Sequence, residues 1–491
     1  MNEYVTIIGA GLAGSEAALQ LADRGIAVRL VEMRPATPTP VHKTDDCAEL
    51  VCSNSLKSTK PESAAGMLKR ELDVLGSRLY AYARACSVPA GGALAVDRVA
   101  FSRAVTEAVE AHPLITFERR EVHSLAEEAR SSRALVVATG PLTSDALAAD
   151  IAALTGEEHL AFYDAAAPIV MADSLDYDRL FRQSRYEDAD EEAGDYLNAP
   201  FDKDEYGRFI EELVAADRVI RRDFETKDLF QACQPIEEIA RKGHDAPRFG
   251  TLKPVGLTDP RTGRRPWAAV QLRAEDAQGQ SYNLVGFQTN LTFPEQRRVF
   301  RMIPGLENAE FARYGVMHRN TFLDAPRLLD ANLRLERTTA QLGVPVYVAG
   351  QLAGTEGYCE AIRSGLHVTF AVAAALADTA SPVLPPETVF GALLAYATDP
   401  ATVDYQPMHV NFGILAPLAQ RVRNKRDRYA AYAARGEEAL LRYRADLARA
   451  GLLPIDRESA ASEDGGAEVC ATDGGANGEP LADADAAGGT R

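Results

Sequence analysis

The chain predicts an α/β fold: a parallel nucleotide-binding sheet that the chain leaves and later re-enters, with an α+β insertion and a helical C-terminal region. Three segments carry the prediction. Tyr4-Val5-Thr6-Ile7-Ile8 is an apolar run that leads through Gly9-Ala10-Gly11-Leu12-Ala13-Gly14 into an Ala/Leu-rich helical stretch and a second strand ending at Glu32. Ala134-Leu135-Val136-Val137 stops in the small-residue turn Ala138-Thr139-Gly140, and Val344 to Val348 stops in Ala349-Gly350. Continuous apolar strands of this kind are buried on both faces, which is the habit of parallel sheets.

Each element has a physical reason. Gly9 permits the sharp strand-to-helix turn, Gly11 lets backbone approach a pyrophosphate, and Gly14 lets the helix sit close to the sheet. Glu32, eighteen residues past Gly14, is where a carboxylate accepts hydrogen bonds from an adenosine ribose. The glycines alone do not choose between NAD and FAD. The later strands do, because an Ala-Thr-Gly turn followed by an Ala-Gly-Gln turn resembles FAD proteins of the glutathione-reductase type. The expected cofactor-binding residues are therefore Gly9, Ala10, Gly11, Leu12, Ala13, Gly14, Glu32, Gly140 and Gly350.

At 491 residues the chain is long enough for two or three domains. The expected division is a first FAD-binding part at 1–144, an inserted substrate domain at 145–335, a return to the FAD domain at 336–380, a helical region at 381–455 and a disordered acidic tail at 456–491. Within the insertion an acidic helical stretch is expected from Glu187 to Asp228, followed by strands such as Ala268–Leu272. After the return, a helix is expected from about Glu360 to Ala377. No signal or membrane-spanning segment is expected, since Glu3 stands where a signal peptide is basic and no apolar run approaches ~18 residues; the cytoplasm follows as the compartment. The six cysteines have no CxxC or metal spacing, so free thiols and no metal are expected.

The formal charge of −18 is unevenly spread. From Asp456 to Arg491 nine acids face two arginines, whereas Arg421 to Arg449 holds nine basic residues against four acids, interleaved with Tyr429, Tyr432 and Tyr443. A basic, aromatic helix of this composition suits a phosphate backbone as well as it suits a solvated helix face.

Two thiols draw attention: Cys52, in Val51-Cys52-Ser53-Asn54-Ser55-Leu56, and Cys233, in Phe230-Gln231-Ala232-Cys233-Gln234-Pro235. A thiolate adds to an electron-poor carbon and leaves again, but the residues alone do not separate either cysteine from a small buried apolar side chain.

Gly9 to Ala18, Glu32-Met33-Arg34-Pro35, Val51 to Leu56, Val88 to Arg98, Ala138 to Thr143, Gly286 to Leu291, Tyr314 to Thr321 and Glu356-Gly357-Tyr358 together resemble the folate- and FAD-dependent tRNA (uracil-5-)-methyltransferases, the TrmFO group of the MnmG/TrmFO flavoproteins. The resemblance runs from residue 4 to about 415. It implies methylation of C5 of uridine 54 in the tRNA T-loop without S-adenosylmethionine. The carbon comes from 5,10-methylenetetrahydrofolate, reduced FAD acts as carrier and reductant, and NADPH or NADH supplies electrons. It also implies Cys233 as the nucleophile at C6, Cys52 as partner acid/base with Tyr358 beside it, and His318 against the folate pterin. Either thiol is chemically able to attack. The expected partners are the tRNA T-arm and folate, with no membrane and no obligatory protein partner. A wobble-uridine MnmG enzyme is disfavoured, because neither a second NAD-type glycine motif nor a longer helical C-terminus is evident. The remaining rivals are a small-molecule flavin oxidoreductase and a non-catalytic RNA-binding flavoprotein.

Overall fold

The computed structural model describes residues 4–39, 41–156, 160–185, 194–220, 234–402 and 405–453. The five-stranded sheet has the order Val346–Val348, Ser132–Val137, Tyr4–Ile8, Val28–Glu32, Ile115–Arg119. All its pairings are parallel, with Ile7 beside Leu30 on one side and Val136 on the other, and Tyr347 beside Val136. The strand Val346–Val348 thus returns next to a strand more than 200 residues earlier, as expected from the two small-residue turns.

Against this sheet the Leu12–Asp23 helix packs on the Tyr358–Leu376 helix. Their approach depends on glycine: a Cβ on Gly365 would lie 2.2 Å from the Ala13 carbonyl oxygen. The N-termini of both helices therefore open toward the same end of the sheet. The Tyr358–Leu376 helix begins two residues earlier than expected and departs from the composition argument in another way. With a mean hydropathy of 1.2 over an 18-residue window it is apolar enough for a bilayer, yet 83% of that window is buried inside the protein. Its Ile, Leu, Val, Phe and Ala side chains raise the mean because it is a core helix packed on its neighbours.

The insertion has its own sheet and its own core. Six strands run antiparallel in the order Phe181–Arg182, Tyr196–Phe201, Ala268–Ala274, Ser281–Leu284, Ile169–Met171, Phe311–Arg313. Phe201, Tyr206, Phe209, Phe287 and Phe300 form its aromatic centre, separate from the core of the parallel sheet. Here the expected acidic helix from Glu187 to Asp228 is corrected. Tyr196–Phe201 is a buried strand paired with Ala268–Arg273, and a helix follows only over Lys203–Ala215. The apolar run Tyr-Leu-Asn-Ala-Pro-Phe wins over acidic surroundings because a sheet partner buries it. Asp202 and Glu205 then start the helix with reciprocal caps. Residues 186–193 and 221–233 of that stretch lie outside the described residues.

A two-stranded ribbon, Leu160–Ala165 with Met317–Phe322, joins insertion to cofactor domain. Beyond the return, Lys425–Arg449 forms a 25-residue helix that buries Ala439, Leu440, Tyr443 and Leu447 and packs on the Ala64–Val74 helix. The acidic tail from 456 to 491 lies outside the described residues.

Candidate functional site

A cavity of about 370 Å³ opens at the carboxyl ends of the parallel strands. The Gly9–Gly14 turn forms one wall, and the glycines there have different reasons to be glycine. Gly9 has φ +100° and a Cβ on it would lie 2.5 Å from the Ala138 carbonyl oxygen, while a Cβ on Gly14 would lie 1.9 Å from the Gly9 oxygen. Those two are required by the protein itself. Gly11 has no protein atom within 4 Å of where its Cβ would be, and as the first cap of the Leu12–Asp23 helix it has no side chain to satisfy the free amides. A glycine whose missing methyl opens only into a cavity, at a bare helix N-terminus, is a cradle for a phosphate. Gly140, at φ +65°, likewise faces open space in the cavity wall. Ala10, Leu12, Ala13 and Gly350 belong to the same region: Leu12, Ala13 and Gly350 line the cavity, and Ala10 holds Glu32.

Glu32 is 5% exposed at the cavity edge. Its Oε2 accepts from the Ala10 amide (2.8 Å), and Oε1 accepts from the amide (3.1 Å) and Nε (2.9 Å) of Arg34. Burial opposes its charge, but the Arg34 guanidinium and these donors hold the carboxyl below the usual range. Nearby His42 is pushed down to about 4 by burial and by Arg34, so it is neutral at physiological pH.

The Cys52 loop forms the opposite wall. Cys52 is half-exposed, and its amide donates to the Tyr358 phenolic oxygen at 2.9 Å, joined there by the Ser53 amide at 3.2 Å. Tyr358 opens the Tyr358–Leu376 helix, so thiol and phenol from segments 306 residues apart meet at the cavity. Burial, and then the Cys52 side chain, push the phenol well above its ordinary value. It therefore stays protonated, accepting from the loop with its lone pairs and keeping its own proton to donate.

Arginines from three elements fix the loop, and none of them is evident from motif spacing. Arg98 donates to the Leu50 carbonyl and pairs with Glu275 of the insertion at 2.7 Å. Arg313 donates to Val51 O at 2.6 Å and Val41 O at 3.2 Å. Arg273 donates through Nε to Asn54 Oδ1 (2.7 Å) and through Nη2 to Ser53 Oγ (3.0 Å). The thiol is thus held from one side by the cofactor domain and from the other by the inserted sheet, with buried positive charge beside it.

The other described cysteines do not share this setting. Burial pushes Cys47 up to about 12 and Cys359 up to about 11, and Cys86 is 3% exposed. Cys233, the expected nucleophile, lies outside the described residues. His318 falls on the Met317–Phe322 strand, where its backbone pairs with Asp164. Among the described residues no cluster of His, Cys, Asp and Glu has a metal-binding arrangement.

The basic stretch divides in two. Arg435, Arg442, Arg444 and Arg449 are occupied locally, by Pro417 O and Ala416 O, Glu438, Val74 O and Asp446. Arg421, Arg423, Lys425 and Arg426 are exposed and have no acidic partner among the described residues. Of these, Lys425 lies 5.5 Å from the Tyr429 ring, with Arg428 at 5.7 Å, and Phe412 stacks on the same ring with centroids 3.9 Å apart. Two residues before Phe412, the Val410 amide donates to Glu360 Oε1 (3.2 Å), at the cavity rim.

The glucose inhibited division protein A family profile matches residues 4–380. A protein of Heliobacterium modesticaldum named methylenetetrahydrofolate–tRNA-(uracil-5-)-methyltransferase TrmFO is 52% identical over 443 residues, covering 90% of this chain and 98% of that one. The Geobacter sulfurreducens protein of the same name is 53% identical over 426 residues, covering 87% and 95%. Among solved structures, Aquifex aeolicus GidA aligns with a TM-score of 0.65 at 16% identity over 92% of this chain and 74% of that one, a likeness of fold.

Proposed function

Because the chain belongs to the glucose inhibited division protein A family of flavoproteins and, within it, to the TrmFO methyltransferases, we propose that it methylates C5 of uridine 54 in the T-loop of tRNA. The one-carbon unit comes from 5,10-methylenetetrahydrofolate, and NADPH or NADH supplies the reducing equivalents. The observation that carries this reading is Cys52. It shares one cavity with the Gly9–Gly14 cradle, and its loop is clamped by Tyr358 and three arginines.

The residues fit FAD: Gly11 and Gly140 leave room for it, the bare helix N-terminus faces its pyrophosphate, and Glu32 stands at its ribose end. When bound, FAD supplies carriage of the folate-derived carbon and the hydride that converts a methylene to a methyl. The protein's own task is to make uracil nucleophilic. C5 of uracil is unreactive until a thiolate adds at C6 and places negative charge across C5 and O4. Cys233 takes that role. After the carbon bonds to C5, Cys52 removes the C5 proton, the electron pair left behind would expel the nitrogen that carried the carbon, hydride would complete the methyl, and elimination of Cys233 restores the ring. The Tyr358 proton serves as the donor that follows the changing charge of the neighbouring sulfur. Carbon enters at the oxidation level of formaldehyde, so one hydride from NAD(P)H and loss of one C5 proton balance the product methyl. The family resemblance assigns His318, whose side chain lies outside the described residues, to the folate pterin. The Arg421 to Arg428 segment, beside the Phe412–Tyr429 shelf and close to the cavity rim, receives T-arm phosphates.

The test is mass spectrometry of a T-arm transcript incubated with the protein, methylenetetrahydrofolate and NADPH, without S-adenosylmethionine. One methyl gained at uridine 54 is expected. An unmodified transcript in the presence of flavin-loaded protein would overturn the reading.

A further inference from the structure

Asn320 is 1% exposed, lies on the Met317–Phe322 strand and lines the cavity, yet neither its Oδ1 nor its Nδ2 has a hydrogen-bond partner among the described residues. Among the described residues around the cavity, this is the one side chain with orphaned buried polar atoms. Asn54 and Asn290 show what the fold does when a buried amide is structural, and Asn283 in the inserted sheet leaves only its Nδ2 without a partner among the described residues. Asn54 donates to Val96 O and Ala274 O and accepts from Arg273, and Asn290 donates to Ile220 O and accepts from its amide. A buried amide left open on both its donor and acceptor sides is rare, because desolvation is unfavourable with nothing to offset it. Asn320 is therefore set for a ligand that presents an acceptor and a donor side by side.

The strand bearing Asn320 packs against the turns Gly140–Leu142 and Gly350–Ala353, which follow the two strands through which the chain leaves and re-enters the parallel sheet. A primary amide is complementary to a ring N–H beside a carbonyl. In the proposed reaction three molecules carry that edge, the pyrimidine ring of the flavin, the target uracil and the folate pterin. Asn320 is nearly sealed from solvent, against the turns of the cofactor domain, whereas a tRNA base and a folate must come in from outside and leave in every turnover.

Resting on the flavin reading above, we propose that Asn320 is the residue that recognises the flavin imide. Oδ1 accepts from the ring N–H, and Nδ2 donates to the adjacent ring carbonyl. This pairing orients the ring. Asn320→Leu removes both bonds at nearly constant shape, and Asn320→Asp keeps the acceptor while adding negative charge.

The experiment is spectrophotometric titration of the oxidised, flavin-loaded protein at alkaline pH, together with FAD dissociation constants and binding of a T-arm mini-helix. Asn320→Leu is expected to weaken FAD about tenfold. Asn320→Asp is expected to move the ring N–H ionisation higher, because a fixed negative charge opposes the ring anion, an effect that a merely structural role would not produce. Parental ionisation and FAD affinity in both variants would overturn the proposal. If mini-helix binding alone weakened, the amide would be reading uracil. Should the parent protein take up no flavin, the underlying reading falls before any variant is made.

Discussion

Cys52, Cys47 and Cys359 are the same chemical group in three environments, and environment decides which is usable. Burial raises Cys47 to about 12 and Cys359 to about 11, so neither is a thiolate near neutrality; Cys359 also lines the cavity but is buried, whereas Cys52 is only partly buried there. Cys52→Ala is expected to lower turnover by about 10²–10⁴-fold with flavin binding retained, read from single-turnover methylation beside FAD titration. Tyr358→Phe leaves the Cys52 and Ser53 amides without their acceptor, so beyond a rate loss it should destabilise the fold by about 1–3 kcal/mol in a denaturant melt. Glu237 offers a pH test. Burial raises it to about 7 despite bonds from the Asn290 amide and Thr289 hydroxyl. Its folded value lies above its unfolded one, so the native state holds the proton more tightly, and stability falls as pH rises from about 4.5 to about 7. Glu237→Gln should flatten that slope by about 3 kcal/mol across the window, measured by urea unfolding at several pH values.

At the scale of elements, the glycine turn and the long basic helix each separate into parts with different duties. Gly14→Ala drives a Cβ into the Gly9 carbonyl at 1.9 Å and should prevent the helix from docking, giving insoluble or strongly destabilised protein. Gly11→Ala meets nothing in the protein at a φ of −74°. That variant is expected to fold with an unchanged apo melting temperature and to lose FAD affinity, measured by flavin fluorescence. In the 25-residue helix, sequence showed charge and aromatic content but not which arginines were already engaged. Replacing Arg421, Arg423 and Arg426 should reduce the slope of log K against log salt for tRNA by roughly one per lost phosphate contact, whereas Arg442→Ala should leave it unchanged.

The whole molecule joins two cores around one loop. Arg273 and Arg313 come from the inserted sheet, Arg98 and Tyr358 from the cofactor domain, and all four hold residues 50–54. The position of the thiol therefore depends on how the two domains meet. The glycine fingerprint, Glu32 and the two strand–turn units were readable from the chain because each is local: a tight turn, a helix start and an apolar strand are dictated by neighbours in sequence. The same locality made the Val51–Leu56 and Glu356–Tyr358 motifs visible as motifs. The Glu187 to Asp228 stretch was misread because its helix-like acidity is a weak preference, and burial of Tyr196–Phe201 beside Ala268–Arg273 outweighs it. Arg98 and Asn320 sit within the Val88–Arg98 and Tyr314–Thr321 motifs, but nothing local shows that one clamps the thiol loop and the other is left unpartnered, since an arginine or asparagine looks alike in sequence whether it faces water or is enclosed. Sequence by itself determined the nucleotide-binding core and its family. Only the tertiary structure decided which cavity thiol is accessible and which buried polar groups are left for a ligand, because both depend on contacts between residues far apart in the chain.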